Sequence, residues 1–288
     1  MKFLKNVILL LCMLLILPIH SYADVAVGDM IITLGEDLTK EQKSAVLAEM
    51  NAPQDAQIIT VSNEEEHKYL GNYIAKSLIG TRAISSSAIT ISEKNSGLEV
   101  ETKNINWVTD EMYLNALITA GVKDAEIYVT APFEVSGTGA LTGLIKAYEV
   151  SAEKTIPEDV KQAANEELVK TAELGDSIGA DNASALIAKV KEEIAKNPPK
   201  TEADIRALIE QAAKELGITL TEEQIQSLID LFNKLKDLNI DWNQVGEQIN
   251  IAKDKITNFL ESEEGQGFLE KLKQFFISLI DAIKAMFS

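Results

Sequence analysis

A glycine-rich segment, Ser136-Gly137-Thr138-Gly139 followed by Ala-Leu-Thr-Gly143, is the most suggestive stretch of the sequence for chemistry. It follows a predicted strand and opens a predicted helix, where glycines allow close backbone approach and free amides bind anions. The Gly-Lys-Ser/Thr ending of a phosphate-binding P-loop is missing, and the glycine spacing differs from a dinucleotide fingerprint. Two readings remain: a tight strand-to-helix turn, or an anion-binding loop.

Arg82 is the second candidate, because arginine is the usual partner of a carboxylate or phosphate group. It is one of two arginines in the chain, the other being Arg206, and Ser85, Ser86 and Ser87 follow it. If this segment lay beside the glycine loop, the two would form a small polar pocket. A surface ion pair is the alternative role.

Nucleophilic catalysis has little support in the sequence, and we predict no catalytic residues and no cofactor. His67 and His20 are the two histidines, Cys12 is the single cysteine, and no Gly-x-Ser-x-Gly elbow is present. A metal site built from cysteine and histidine is therefore close to excluded. The consecutive acids Glu64 to Glu66 would fan apart on a helix, so we predict no metal site there either.

Composition narrows the class of protein further. The 288 residues include 45 Asp+Glu against 27 Lys+Arg, a formal net charge of −18. Nucleic-acid binding needs a basic face, so that partner is not expected. The hydrophobic content of 46% and charged content of 25% are those of a folded globular chain.

The first 23 residues have the pattern of a secretory signal peptide. Lys2 and Lys5 precede an apolar run that extends from Val7 to Leu17, and Ser21-Tyr-Ala23 fits a cleavage site. The run is about 11 residues, against the roughly 20 that a membrane span needs. We predict cleavage after Ala23, a cysteine-free mature chain, and a secreted or cell-envelope location.

Two regions follow the signal, and together they predict an α+β fold. Residues 24–150 are predicted to form a mixed sheet covered by helices, in which Ser87–Glu93 and Leu98–Asn104 form a hairpin. Capping boxes are predicted at Thr39/Gln42, Asn63/Glu66 and Thr221/Gln224, and the second helix is expected to end near Ser77. Residues 151–288 are predicted to form an antiparallel helical bundle from successive amphipathic helices.

The last amphipathic segment, residues 267–287, stands apart because its apolar face is wide and rich in phenylalanine. It is either the closing helix of the bundle, or a helix that docks on a membrane or a partner. The residues that would dock are Phe268, Leu272, Phe275, Phe276, Leu279 and Ile283.

Several stretches resemble a family of exported Gram-positive bacterial proteins known as domain of unknown function 1002. The matching stretches are Ala26–Thr39, Gly80–Ser87, Thr109–Leu117, Ala131–Gly143 and Asn239–Asn243. The resemblance spans the mature chain and implies secretion. It implies no activity, so no functional residue can be carried over.

These observations favour an exported, non-enzymatic binding or structural protein of the cell envelope or medium. A cell-envelope component or another protein would be its partner. Two alternatives remain open. One is an extracellular hydrolase that uses carboxylates in a cleft between the two regions. The other is a protein that associates with a membrane surface through residues 267–287.

Overall fold

The computed structural model describes residues 27–261, which form one five-stranded sheet and ten helices. The strands are β1 (Met30–Gly35), β2 (Gln57–Val61), β3 (Ser86–Ile91), β4 (Leu98–Ile105) and β5 (Ala125–Val135). The predicted signal peptide and the segment 267–287 lie outside the described residues.

The sheet is mixed, with strand order β2-β1-β3-β5-β4. β1 runs parallel to β2, and β4 runs parallel to β5. β3 lies between these two pairs and is antiparallel to both of its neighbours. The mixed α+β class predicted from the sequence is therefore confirmed.

Five helices belong to the first part of the chain. They are α1 (Lys40–Glu49), α2 (Asn63–Leu70), α3 (Lys76–Ile79), α4 (Asp110–Thr119) and α5 (Ala140–Ser151). Helix α5 packs on β1, β2 and β3, and α4 packs on β4. Helix α1 contacts β5, and its Val46 shares a core with Ile32 on β1. β1 is covered on both faces, which explains why it is almost entirely apolar.

Five longer helices follow. They are α6 (Glu158–Ile178), α7 (Ala180–Lys196), α8 (Glu202–Glu215), α9 (Glu222–Asp237) and α10 (Trp242–Glu261). Helix α7 packs against α6, α8 and α10, while α9 packs against α8 and α6. Helix α6 also packs against α4 and α5, so the largest apolar core contains residues from both sides of residue 150. The proposed domain boundary at that residue stays a prediction. Within the described residues, no helix is long and apolar enough to cross a bilayer.

Two of the predicted capping boxes are confirmed. Thr39 accepts from the backbone N–H of Gln42, whose side chain accepts from Thr39 in return. Thr221 and Gln224 form the same reciprocal pair at the start of α9. Both helices therefore begin where the local sequence predicts.

The predicted capping box at Asn63 and Glu66 is wrong by one residue. Ser62 caps α2 and Glu65 completes the box. Helix α2 also ends at Leu70 rather than near Ser77, because Gly71 caps it and a separate turn of helix, α3, follows. Because the helix begins one residue earlier, the Glu66 side chain takes no part in the capping box and points towards the protein interior.

The predicted hairpin between β3 and β4 is also wrong, because β5 lies between the two strands. Ala125, at the start of β5, is the register partner of both Ile91 and Leu98. Asp124 holds the connection in place: its carbonyl accepts from Ser92 N–H and its carboxylate accepts from Gly97 N–H at 3.0 Å. The six residues 92–97 thus span a gap of two strand spacings, about 10 Å, rather than one.

Candidate functional site

One edge of the sheet collects most of the polar segments singled out by the sequence. The carboxyl ends of β1, β2, β4 and β5 meet there, together with the start of β3. Asp37, Arg82 and Ser136–Gly139 lie on loops next to these strand ends, and Asn63 is the first residue of α2, which follows β2. Crevices at the carboxyl ends of strands are common ligand sites in α/β sheets. We call this region the sheet edge.

Glu66 lies at the centre of the sheet edge. Its side chain is only 4% exposed, and it accepts a hydrogen bond from Asn63 Nδ2 at 3.1 Å. Burial raises the pKa of Glu66 to about 7; the Asn63 hydrogen bond opposes this shift, and the charge of Asp37 adds to it. Glu66 therefore titrates near neutral pH.

The glycine loop packs directly on this carboxyl group. A Cβ atom on Gly139 would overlap the Glu66 carboxylate, so a larger residue there would have to displace that side chain. Gly137 has a φ of +89°, and a Cβ there would meet Ile105 and the hydroxyl of Tyr113. The loop glycines thus provide room for Glu66 and Tyr113. Anion binding by this loop remains a proposal.

The segment that carries Arg82 reaches the same cluster from the other side. Asn63 Nδ2 lies 3.5 Å from the Gly80 carbonyl, and a ring nitrogen of His67 lies 2.9 Å from the same oxygen. The backbone N–H of Ala83 donates to the Asp37 carboxylate at 2.8 Å. Through these contacts, helix α2 connects the segment around Arg82 to the glycine loop.

The Arg82 side chain is exposed, and within residues 27–261 it makes no hydrogen bond or ion pair. Arg206 differs, because Glu222 and Glu210 both pair with it. Of the hydroxyls after Arg82, Ser86 and Ser87 are buried in the sheet and only Ser85 is half-buried. Of the three hydroxyls that the sequence predicted for a polar pocket beside Arg82, only that of Ser85 is therefore accessible.

Ser136 and Thr138 lie on the loop between β5 and α5. Their hydroxyls are 3.4 Å apart, and Thr138 is almost completely buried. Within the described part of the chain, no cluster of histidine, cysteine and acidic side chains could hold a metal ion. The chemistry available at the sheet edge therefore comes from the carboxyl groups of Glu66 and Asp37, the His67 ring, the exposed Arg82 guanidinium and a few hydroxyls.

Replacing Tyr113 with phenylalanine is expected to loosen the glycine loop and lower the free energy of unfolding by about 1 kcal/mol. Tyr113 is fully buried, and its hydroxyl donates to the Gly137 carbonyl, which would keep the Ala140 N–H as a donor but lose the bond that ties the loop to α4. Chemical denaturation measures the loss. Tyr69→Phe is the control, because that exposed hydroxyl bonds to Glu158 at the surface. Equal stabilities for the two variants would contradict the prediction.

The family described as "Protein of unknown function (DUF1002)" matches residues 34–252. The chain belongs to the DUF1002 family. The match includes every sheet-edge residue discussed above. The family membership inferred from the sequence is thus confirmed, and the family description assigns no activity; export stays a prediction.

This DUF1002 protein is also similar to "Uncharacterized protein YpuA" of Bacillus subtilis (strain 168). The two are 60% identical over 276 residues, which cover 96% of this chain and 95% of the relative. No solved structure matches the DUF1002 chain.

Sequence reasoning assigned the wrong roles to Asn63 and Glu66, which it predicted to form a capping box. A signal was present, because Glu66 lies four residues before the buried Leu70 and so shares its face of α2. Because Asn63 and Glu66 also fit a capping box, Glu66 was assigned to the start of the helix instead of to the buried face of α2.

Proposed function

We propose that this DUF1002 protein is an exported, non-enzymatic binding protein that recognises an anionic group of its ligand at the sheet edge. The observation that carries the proposal is the exposed Arg82, which has no partner within the described residues, beside the cluster built around Glu66. An arginine that is held next to a structured loop and left unpaired is suited to bind a carboxylate or phosphate.

The experiment is a titration of the protein with inorganic phosphate and with acetate, followed by the amide signals of residues 80–87 and 136–139. We expect one of the two anions to shift both sets of signals. Arg82→Ala is expected to weaken that binding about tenfold, the effect of losing a charge-assisted hydrogen bond. The same change should alter the free energy of unfolding by less than about 0.5 kcal/mol, because the side chain is exposed.

Lys76→Ala is the matched control for charge alone. Lys76 begins the neighbouring helix α3, and its side chain is also exposed. It should leave the anion affinity within about twofold of the wild type, since long-range charge is screened. If both variants weakened binding equally, or if neither anion shifted the two segments, the binding role of Arg82 would be wrong.

Export is the second part of the proposal. Its support is the pattern of residues 1–23, with two lysines, an apolar run and small residues before Asp24. We expect the protein in the culture medium or cell envelope to begin at Asp24. Mass spectrometry of the N-terminus tests this, and an intact Met1 on protein from the cytoplasm would contradict it.

The proposal also includes the finer architecture predicted for residues 151–288, an antiparallel helical bundle. The packing of α7 against α6, α8 and α10 supports it. In this arrangement the sheet edge would recognise the ligand, and the helices would serve as a scaffold.

A further inference from the structure

An apolar groove on the helical side of the molecule lies between α4, α7 and α10. Its volume is about 340 Å³. The surface exposed in the groove is mostly apolar, and half of the fourteen residues that line it are apolar, among them Leu114, Ile118, Ala185, Ala188, Ile249 and Ala252. Leu216, at the end of α8, borders the groove and is 41% exposed. An exposed leucine beside an apolar groove marks a surface that another apolar surface can cover.

A buried polar atom in the same wall also lacks a partner. Ser184 lines the groove and is only 3% exposed, yet its hydroxyl makes no hydrogen bond within the described residues. Buried hydroxyl groups are usually satisfied. The hydroxyl oxygen is enclosed by the protein, so an occupant of the groove would cover Ser184 without bonding to its hydroxyl.

We propose that the occupant is the chain's own C-terminal segment, residues 267–287, folded back along α10. One wall of the groove is formed by Ile249, Ala252 and Lys253 of α10, the helix after which residues 262–288 continue. The segment carries ten apolar residues at helical spacing, enough to form a continuous apolar face. Gly265 and Gly267 lie where the chain would reverse direction.

The lengths fit this arrangement. Ile249 lies 12 residues before Glu261, the last residue of α10, a distance of about 18 Å along the helix. A helix that starts at residue 267 and runs antiparallel to α10 covers this distance in about 12 residues. Phe275 and Phe276 would then lie level with Ala252, and Leu279 level with Ile249.

The charges fit as well. The segment has three lysines against one glutamate and one aspartate, while the whole chain has a net charge of −18. Two exposed carboxylates at the groove, those of Glu111 and Asp181, form no ion pair within residues 27–261. Lys271, Lys273 and Lys284 could supply the missing positive charge. This inference is independent of the proposed role of Arg82.

A disulfide cross-link tests the register directly. In the full chain with Cys12→Ser, the pair Ala188→Cys and Phe276→Cys should form an intramolecular disulfide under mild oxidation. The control pair is Ala188→Cys with Gln274→Cys, because residue 274 lies on the polar face of the segment. We expect at least a fivefold higher yield for the pair with Phe276. Equal yields, or a disulfide that links two chains, would overturn the proposal.

Hydrogen exchange in the full chain provides the second measurement. Phe275→Asp combined with Phe276→Asp should release the segment and speed amide exchange in residues 114–118 and 184–188 at least tenfold. Gln274→Asp should leave these amides unchanged. Unchanged exchange in the double variant would overturn the proposal. So would exchange in the wild type that slows only when phosphatidylglycerol vesicles are added, because the segment would then bind a membrane instead.

Discussion

Replacing Lys191 with methionine is expected to lower the free energy of unfolding by about 3 to 5 kcal/mol. Lys191 and Glu167 are both fully buried, and their side chains are 3.0 Å apart. Lys191 also donates to the Asn115 carbonyl at 2.7 Å, and Thr119 donates to Glu167 at 2.6 Å. The pair therefore joins α4, α6 and α7. Thermal or chemical denaturation measures the loss.

The reason for the large effect is the charge that remains. Burial lowers the pKa of Lys191, and the charge and hydrogen bond of Glu167 act against that shift. Without Lys191, the Glu167 carboxylate keeps one side-chain donor among the described residues, Thr119, in a site that water does not reach. An unpaired buried charge is far more costly than the pair itself is stabilising.

Two further variants separate this mechanism from simple loss of packing. Lys189→Met, two residues earlier, removes a lysine that is 25% exposed and pairs with Glu193 and Glu215, so it should cost less than about 1 kcal/mol. Adding Glu167→Gln to Lys191→Met removes the stranded charge and should recover part of the lost stability. If Lys191→Met were no worse than Lys189→Met, the account of the pair would be wrong.

Strand bounds and helix caps were predicted well from the sequence, because the residues that determine them lie close together along the chain. β2 has the predicted bounds of Gln57 to Val61, and two of three predicted capping boxes form as expected. Cap residues and strand alternation act within a few positions along the chain, so they can be recognised without knowing the fold.

The errors arose where a distant segment decides the outcome. The connection after β3 has the residues of a hairpin turn, but β5, about 30 residues later, takes the place beside β3. No property of residues 94–97 reveals that insertion. Similarly, Asn63 and Glu66 fit a capping box, but the helix begins one residue earlier, and Glu66 packs against Gly139 of a distant loop.

The site was predicted only in part for the same reason. Arg82 and Ser136–Gly139 were singled out separately, and their placement at one edge depends on the strand order. The sequence does indicate that Lys191 of the buried Lys191–Glu167 pair faces the interior. It lies four residues after Ile187 and three before Ile194, on the apolar face of α7. Its partner Glu167 lies on another helix, which the spacing cannot identify.

Replacing Glu66 with glutamine is expected to change the free energy of unfolding in a pH-dependent way. Between pH 4.5 and pH 8, the variant should gain about 2 kcal/mol of stability relative to the wild type. The folded-state pKa of about 7 lies above the ordinary 4.5. Below pH 4.5 the Glu66 carboxyl group is protonated in both the folded and the unfolded protein, so it does not make the free energy of unfolding depend on pH. As the pH rises from 4.5 to 7, the unfolded state loses its proton first and stability falls. Above pH 7 the penalty is constant.

The expected size follows from two opposing effects. A shift of 4.5 to about 7 corresponds to about 3 kcal/mol at most. The N-terminus of α5, which begins beside Gly139, favours the carboxylate and should reduce this by up to about 1 kcal/mol. Glutamine cannot ionise, so the difference between the two unfolding free energies should grow with pH. Urea denaturation at pH 4.5, 6 and 8 measures that difference.

Glu65→Gln is the matched control, because its pH dependence should have the opposite sign. Burial raises the pKa of Glu65, but hydrogen bonds from Lys146 and Ser62 outweigh it and hold that pKa below its ordinary value. Glu65 therefore stabilises the fold above its unfolded pKa, and this stability is lost as the pH falls. Most of that loss lies below pH 4.5, so the cost of Glu65→Gln should fall only slightly between pH 8 and pH 4.5. Parallel pH profiles for the two glutamine variants would show that Glu66 is not a buried, neutral acid held against the glycine loop.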